Sequence, residues 1–73
     1  MITKGSYIKV VNGELTGQIL LVKDITSSGD FLNCDDTLRD RHVVNINDAC
    51  IATKEESDIF DDVYTKGGFT QNM

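Results

Sequence analysis

The turn signal at Asn12-Gly13 constrains this chain more than any other feature of its sequence. Both residues tolerate positive φ at low steric cost. The dipeptide sits between two apolar, β-branched runs, Ser6-Tyr7-Ile8-Lys9-Val10-Val11 and Gln18-Ile19-Leu20-Leu21-Val22-Lys23-Asp24-Ile25. That order predicts a hairpin with Lys9 turned to solvent. The second run is too apolar over its first half for simple alternation. It reads as a strand buried on both sides or bent across a corner, with Gly17 before it at a bulge or tight bend.

The punctuation continues downstream. Ser27-Ser28-Gly29-Asp30 predicts a turn, Phe31-Leu32-Asn33-Cys34 a short third strand, and Asp35 to Asp40 a polar connection. His42-Val43-Val44-Asn45-Ile46 and Ala49-Cys50-Ile51-Ala52 read as fourth and fifth strands. The Asn47-Asp48 step between them suits a two-residue turn or one turn of 3₁₀ helix. Several short strands with close turn signals and no long helical pattern predict an all-β barrel or sandwich over residues 1–53.

Residues 54–73 form an acidic C-terminal segment of different character. From Lys54 to Tyr64 the chain is dense in acid, with Ile59 and Val63 four apart and Phe60 and Val63 three apart, so it reads as a short amphipathic helix or as disorder. Isolated helices below about 12–15 residues are marginal in water, so such a helix needs a docking surface. Thr65 to Met73, with Gly67-Gly68, reads as a mobile tail.

The stretch from Gly5 to Val22 resembles the KOW motif, a hairpin with a glycine-punctuated turn found in SH3-like barrels. The matching positions are Gly5, Ile8, Val10, Gly13, Gly17 and Val22, and the stretch that holds them covers about a quarter of the chain. The resemblance implies a small five-stranded SH3-like barrel, and a family that includes bacterial transcription elongation factors and ribosomal proteins. It also implies that Lys9, Asn12 and Thr16 are the residues nearest a nucleic-acid or polymerase contact. Glu14, Leu15 and Leu20 depart from the basic residue and extra glycine usual around the turn.

With 73 residues the chain has room for one domain, and one this small buries only about 60% of its unfolded surface. No apolar run approaches the roughly 20 residues that span a bilayer, and the first residues lack the apolar core of a signal peptide. A cytosolic protein without a membrane partner is expected. Cys34 and Cys50 are then reduced thiols and not a disulfide. The net charge is −5, unlike the basic footprint of a phosphate-neutralising protein. Residues 1–23 carry three lysines against one glutamate, a net of +2, and residues 24–73 carry four cations against eleven carboxylates, a net of −7.

No chemistry emerges from the spacing of reactive residues. Cys34, His42 and Cys50 lack the Cys-x-x-Cys character of a structural zinc site. One histidine and no nucleophile elbow make a poor catalytic set. The carboxylates at Asp35, Asp36 and Asp40 and at Asp58, Asp61 and Asp62 lack calcium-loop spacing, and their ordinary role is solubility. No enzyme, metal or cofactor is expected.

Three functional readings remain. In the first, residues 54–64, where acid flanks Ile59, Phe60, Val63 and Tyr64, form an interaction segment centred on Asp58, Ile59, Phe60, Asp61, Asp62 and Tyr64, with apolar anchors docking on a partner while charge steers towards a basic surface. The protein is then a small regulator, adaptor or inhibitor of a nucleic-acid-handling protein, of the kind phages and mobile elements carry. In the second, Lys4, Lys9 and Lys23 touch phosphate, Tyr7 offers a stacking face, and Asn12 and Thr16 lie at the contact, giving weak, salt-sensitive nucleic-acid binding. The third is a homodimer built by pairing an exposed edge strand with its own copy.

Overall fold

The computed structural model describes residues 1–66. Its strands are β1 (Tyr7–Val10), β2 (Ile19–Ile25), β3 (Phe31–Asp35), β4 (Arg41–Asn45) and β5 (Ala49–Ile51), followed by one helix, α1 (Lys54–Thr65). A single 3₁₀ turn, Ile46–Asp48, joins β4 to β5, with the Asn45 side chain capping it at Asn47 N. The strands pair antiparallel in the order β4-β3-β2-β1-β5. Among the described residues the two edges, β4 and β5, do not pair with each other, so the sheet is open and not a closed barrel.

The first hairpin forms, but its connection is longer than an Asn-Gly turn. Val10 N donates to Gln18 O (3.0 Å) and Gly17 N to Val10 O (2.8 Å), so the strands separate beyond Val10. The intervening residues make two successive turns, Thr16 N to Gly13 O (3.2 Å) and Gln18 N to Leu15 O (3.0 Å). Gly13 and Gly17 take φ of 97° and 94°, a region that strains residues with a Cβ. The loop is drawn in because Leu15 packs against the core, and a two-residue turn would hold it away.

Strand β2 meets both expectations for its apolar run. Leu20 and Val22 point into the core, Ile19 and Leu21 are half-buried on the other face, and the register slips between Val22 and Asp24 as a bulge. The core comprises Ile8, Val10, Leu20, Val22, Leu32, Cys34 and Val44. Direct pairing of Ile8 with Leu20, Val22 with Cys34 and Leu32 with Val44 places these on one face. The helix packs on the opposite face, against Tyr7. Side chains such as Ile8, Leu20 and Leu32 therefore reach 0% exposure because the sheet bends around them, its rim filled by Ile2, Leu15, Ile25, Ile46 and Ala49.

The acidic segment is helical from Lys54 to Thr65, and its start has a local cause. Thr53 Oγ1 accepts from Glu56 N (3.1 Å), while Glu56 Oε1 accepts from Thr53 N (2.9 Å), which satisfies two donors left open at a helix N-terminus. Thr65 and Lys66, read from sequence as the start of a tail, instead complete and cap the helix. The rest of that expected tail, residues 67–73, lies outside the described residues.

The thiols are unlike in reactivity. Burial, aided by the neighbouring Asp35 charge, pushes the Cys34 thiol up to about 11, whereas Cys50 is exposed on edge strand β5. A thiol-specific reagent at neutral pH is expected to modify Cys50 readily and to reach Cys34 only after denaturant is added. Equal labelling of both in native buffer, followed by mass spectrometry, would contradict this core.

Candidate functional site

Helix α1 carries two adjacent apolar stripes, and the sheet takes only one. Phe60 and Tyr64, at 3% and 9% exposure, turn inward. Phe60 meets the Tyr7 ring edge-on at 5.6 Å and stacks on Tyr64 at 5.4 Å, geometries that favour aromatic pairs. Ile59 and Val63, each one position earlier, stay 69% and 36% exposed.

The end of the helix is clamped by β3 and the β3–β4 connection. Tyr64 Oη donates to Asp35 Oδ2 (3.0 Å), and Asp35 Oδ1 accepts from Arg41 Nε (3.1 Å), so the buried carboxylate has both oxygens occupied. The Arg39 guanidinium lies 4.2 Å from the Tyr64 ring centre and donates from Nη2 to Tyr64 O (2.9 Å). The last turn of α1 has no basic residue, so Arg39 brings from elsewhere the positive charge that a helix C-terminus favours.

Asp36 organises the loop that presents Arg39. Its Oδ1 accepts from Leu38 N (2.8 Å) and Asp40 N (3.0 Å), and its Oδ2 lies 2.8 Å from His42 Nε2, which must carry the proton when the carboxylate is ionised. Partial burial pushes the Asp36 carboxyl up, but the bonds from His42 and from the Asp40 and Leu38 amides outweigh it and hold it below the usual carboxylate range. A depressed folded value means stability that is present above the unfolded value, about 3.9, and lost as pH falls through the folded value. Asp36→Asn is therefore expected to flatten the acid limb of a urea-midpoint against pH profile below about pH 4. An unchanged limb would show that this carboxylate does not hold the loop.

The structure disperses the residues expected to bind a partner. Asp58 and Asp62 are exposed and pair within the helix with Lys54 (2.8 Å) and Lys66 (3.2 Å), contacts worth little in water. Asp61 accepts from Tyr7 Oη (2.8 Å). Phe60 and Tyr64 face the protein's own sheet, which leaves Ile59 as the apolar member of that set turned outward.

The residues of the nucleic-acid reading are not gathered either. The Tyr7 ring lies against Phe60, and its bond to Asp61 raises the hydroxyl above the ordinary tyrosine value. Lys9 Nζ pairs with Glu56 Oε2 at 3.2 Å. Asn12 is exposed on the hairpin loop, and Thr16 Oγ1 donates to Gly13 O (2.6 Å). Lys4 and Lys23 line a separate recess beside Gly5 and Leu21, near the other end of the hairpin.

A groove of about 320 Å³ runs between α1 and the β3–β4 connection. Ile19, Ile59, Phe60 and Val63 supply its apolar surface, and Asp36 and Glu56 its acidic groups. Among the described residues no lysine or arginine lines it. Ile19 falls outside the site set read from sequence, whereas Val63 was among the apolar anchors expected within residues 54–64. The signal for Ile19 was the two-sided apolarity of Gln18 to Val22, which calls for a cover on each face of the strand.

No three His, Cys, Asp or Glu side chains among the described residues are arranged to hold a metal ion. No helix among them is long and apolar enough to cross a membrane. In comparisons with known proteins, no family model, no curated protein and no solved structure matches the chain.

Proposed function

We propose that this chain is a non-enzymatic, acidic protein-binding module that engages a basic, nucleic-acid-handling protein through the outward side of α1, as a regulator, adaptor or inhibitor. The observation that carries this reading is Ile59, a large aliphatic side chain left 69% exposed on a helix whose exposed charges are mostly acidic, Glu55, Asp58, Asp61 and Asp62 against Lys54. Apolar anchors within a net-negative field suit recognition of a surface of opposite sign, with charge accelerating encounter and the anchor slowing release.

An SH3-like reading of the scaffold draws support from the linear strand order, the bulge in β2 and the 3₁₀ turn before β5. Nucleic-acid binding through the hairpin has less support, because α1 engages both Tyr7 and Lys9.

The test is capture from nuclease-treated lysate at moderate salt by the immobilised full chain and by an Ile59→Ser/Val63→Ser variant. Partners whose capture survives nuclease and is lost in the variant are the expected result. Capture that disappears with nuclease treatment would instead favour the KOW-like hairpin, and capture unaffected by the variant would move the site away from α1.

A further inference from the structure

We infer that the groove beside α1 receives a basic amphipathic helix of the partner, whose aliphatic anchors fill the space between Ile19, Ile59 and Val63 while flanking Lys or Arg side chains meet Asp36 and Glu56. The inference rests on the acidic-module reading and specifies what occupies that site.

Charge selects the occupant. Asp36 and Glu56 line the groove without any lysine or arginine among its described lining residues, and both carboxyls are held below their usual range, Asp36 against partial burial by His42 and the loop amides, and Glu56 by the Thr53 amide and Lys9. Their partners within the chain leave room for a second cation. Glu56 is tied to Lys9 and the Thr53 amide, two partners, and Asp36 to His42 and two loop amides, three partners, whereas an ionised carboxylate offers about four acceptor sites. An acidic segment would be repelled by this rim, and a neutral one would gain no ion pair from it.

Shape selects helix over other segments. The groove follows α1 from Glu56 to Val63, about 10 Å or two helical turns, which matches anchors spaced three or four residues apart on a neighbouring helix. Ile59 and Val63 are themselves four apart and form one wall, with Ile19 of β2 opposite. Phe60, also in the lining, is held by its packing on Tyr7 and Tyr64, which favours a groove already formed before a side chain enters.

The probes are three designed peptides titrated into the isotopically labelled full chain and followed by NMR. The first is a helical Leu/Arg amphipath, the second has every Arg replaced by Glu, and the third has the first one's composition scrambled so that its leucines share no face. Saturable shifts centred on Ile19, Ile59, Val63 and Asp36 are expected with the first peptide only, weakened about tenfold or more by Ile59→Ser/Val63→Ser. Both positions are exposed on the helix, so the variant should keep the wild-type spectrum elsewhere. Shifts spread over Glu55, Asp58 and Asp62, equal for the scrambled peptide and indifferent to the variant, would overturn the groove and leave an acidic binding surface standing. Failure of the Leu/Arg peptide to bind saturably at low salt would overturn both.

Discussion

Phe60→Ala is expected to lower the free energy of unfolding by about 3 kcal/mol and to release α1 from the sheet while the strands remain paired. The side chain is almost wholly buried between Tyr7 and Tyr64, so its loss removes two aromatic contacts and opens a cavity beneath the helix. What remains is the Tyr64 clamp to Asp35 and Arg39, the Tyr7 hydroxyl bond to Asp61 and the pair between Glu56 and Lys9, all of which depend on the helix lying close. A helix of 12 residues has little stability of its own once undocked. Native-state hydrogen exchange checks this directly: amides of α1 should lose protection while those of β2 and β3 keep most of theirs. Uniform loss across both would mean that sheet and helix unfold as one unit. Ile59→Ala, on the neighbouring stripe, should shift stability by no more than about 0.5 kcal/mol.

Leu20→Ala is expected to be still more damaging, at about 3–4 kcal/mol, close to the whole stability of a domain this small. Strand β2 lies in the middle of the sheet, bonded to β1 and β3, and Leu20 has no exposed surface. Neighbouring strands pinned by their hydrogen-bond ladders cannot collapse into the space it leaves. Ile19→Ala is the internal control, one residue away on the helix-covered face and only half-buried. It should cost about half as much. Urea denaturation of both variants decides the matter, and equal losses would show that the bent inner face is not the principal core.

Much of the strand pattern was readable from local residues. The expected third, fourth and fifth strands coincide with β3, β4 and β5 to within a residue or two, because glycines, asparagines and short β-branched runs act on their own neighbours. The helix start was also present locally as Thr53-Lys54-Glu55-Glu56, a capping box whose two bonds both form. The length of the first hairpin loop was not readable. Asn12-Gly13 is compatible with a tight turn, and only the pull of the core on Leu15 expands it.

The candidate site divides in the same way. Residue order alone determined that an acidic segment with four apolar side chains follows the strands, helical or disordered, and the tertiary structure makes it the helix α1. Residue order could not say which pair faces inward, because Ile59/Val63 and Phe60/Tyr64 are each four apart and differ only by a rotation of about 100°. The sheet decided. Phe60 and Tyr64 bring the larger buried area, and Tyr64 finds Asp35, 29 residues away, as acceptor for its hydroxyl, with Arg39 over its ring. Tyr7 finds Asp61 across 54 residues. Contacts at such separations leave no local periodicity to read, and they determine that Ile59 and Val63, not the aromatic residues, remain exposed on the outer side of the helix.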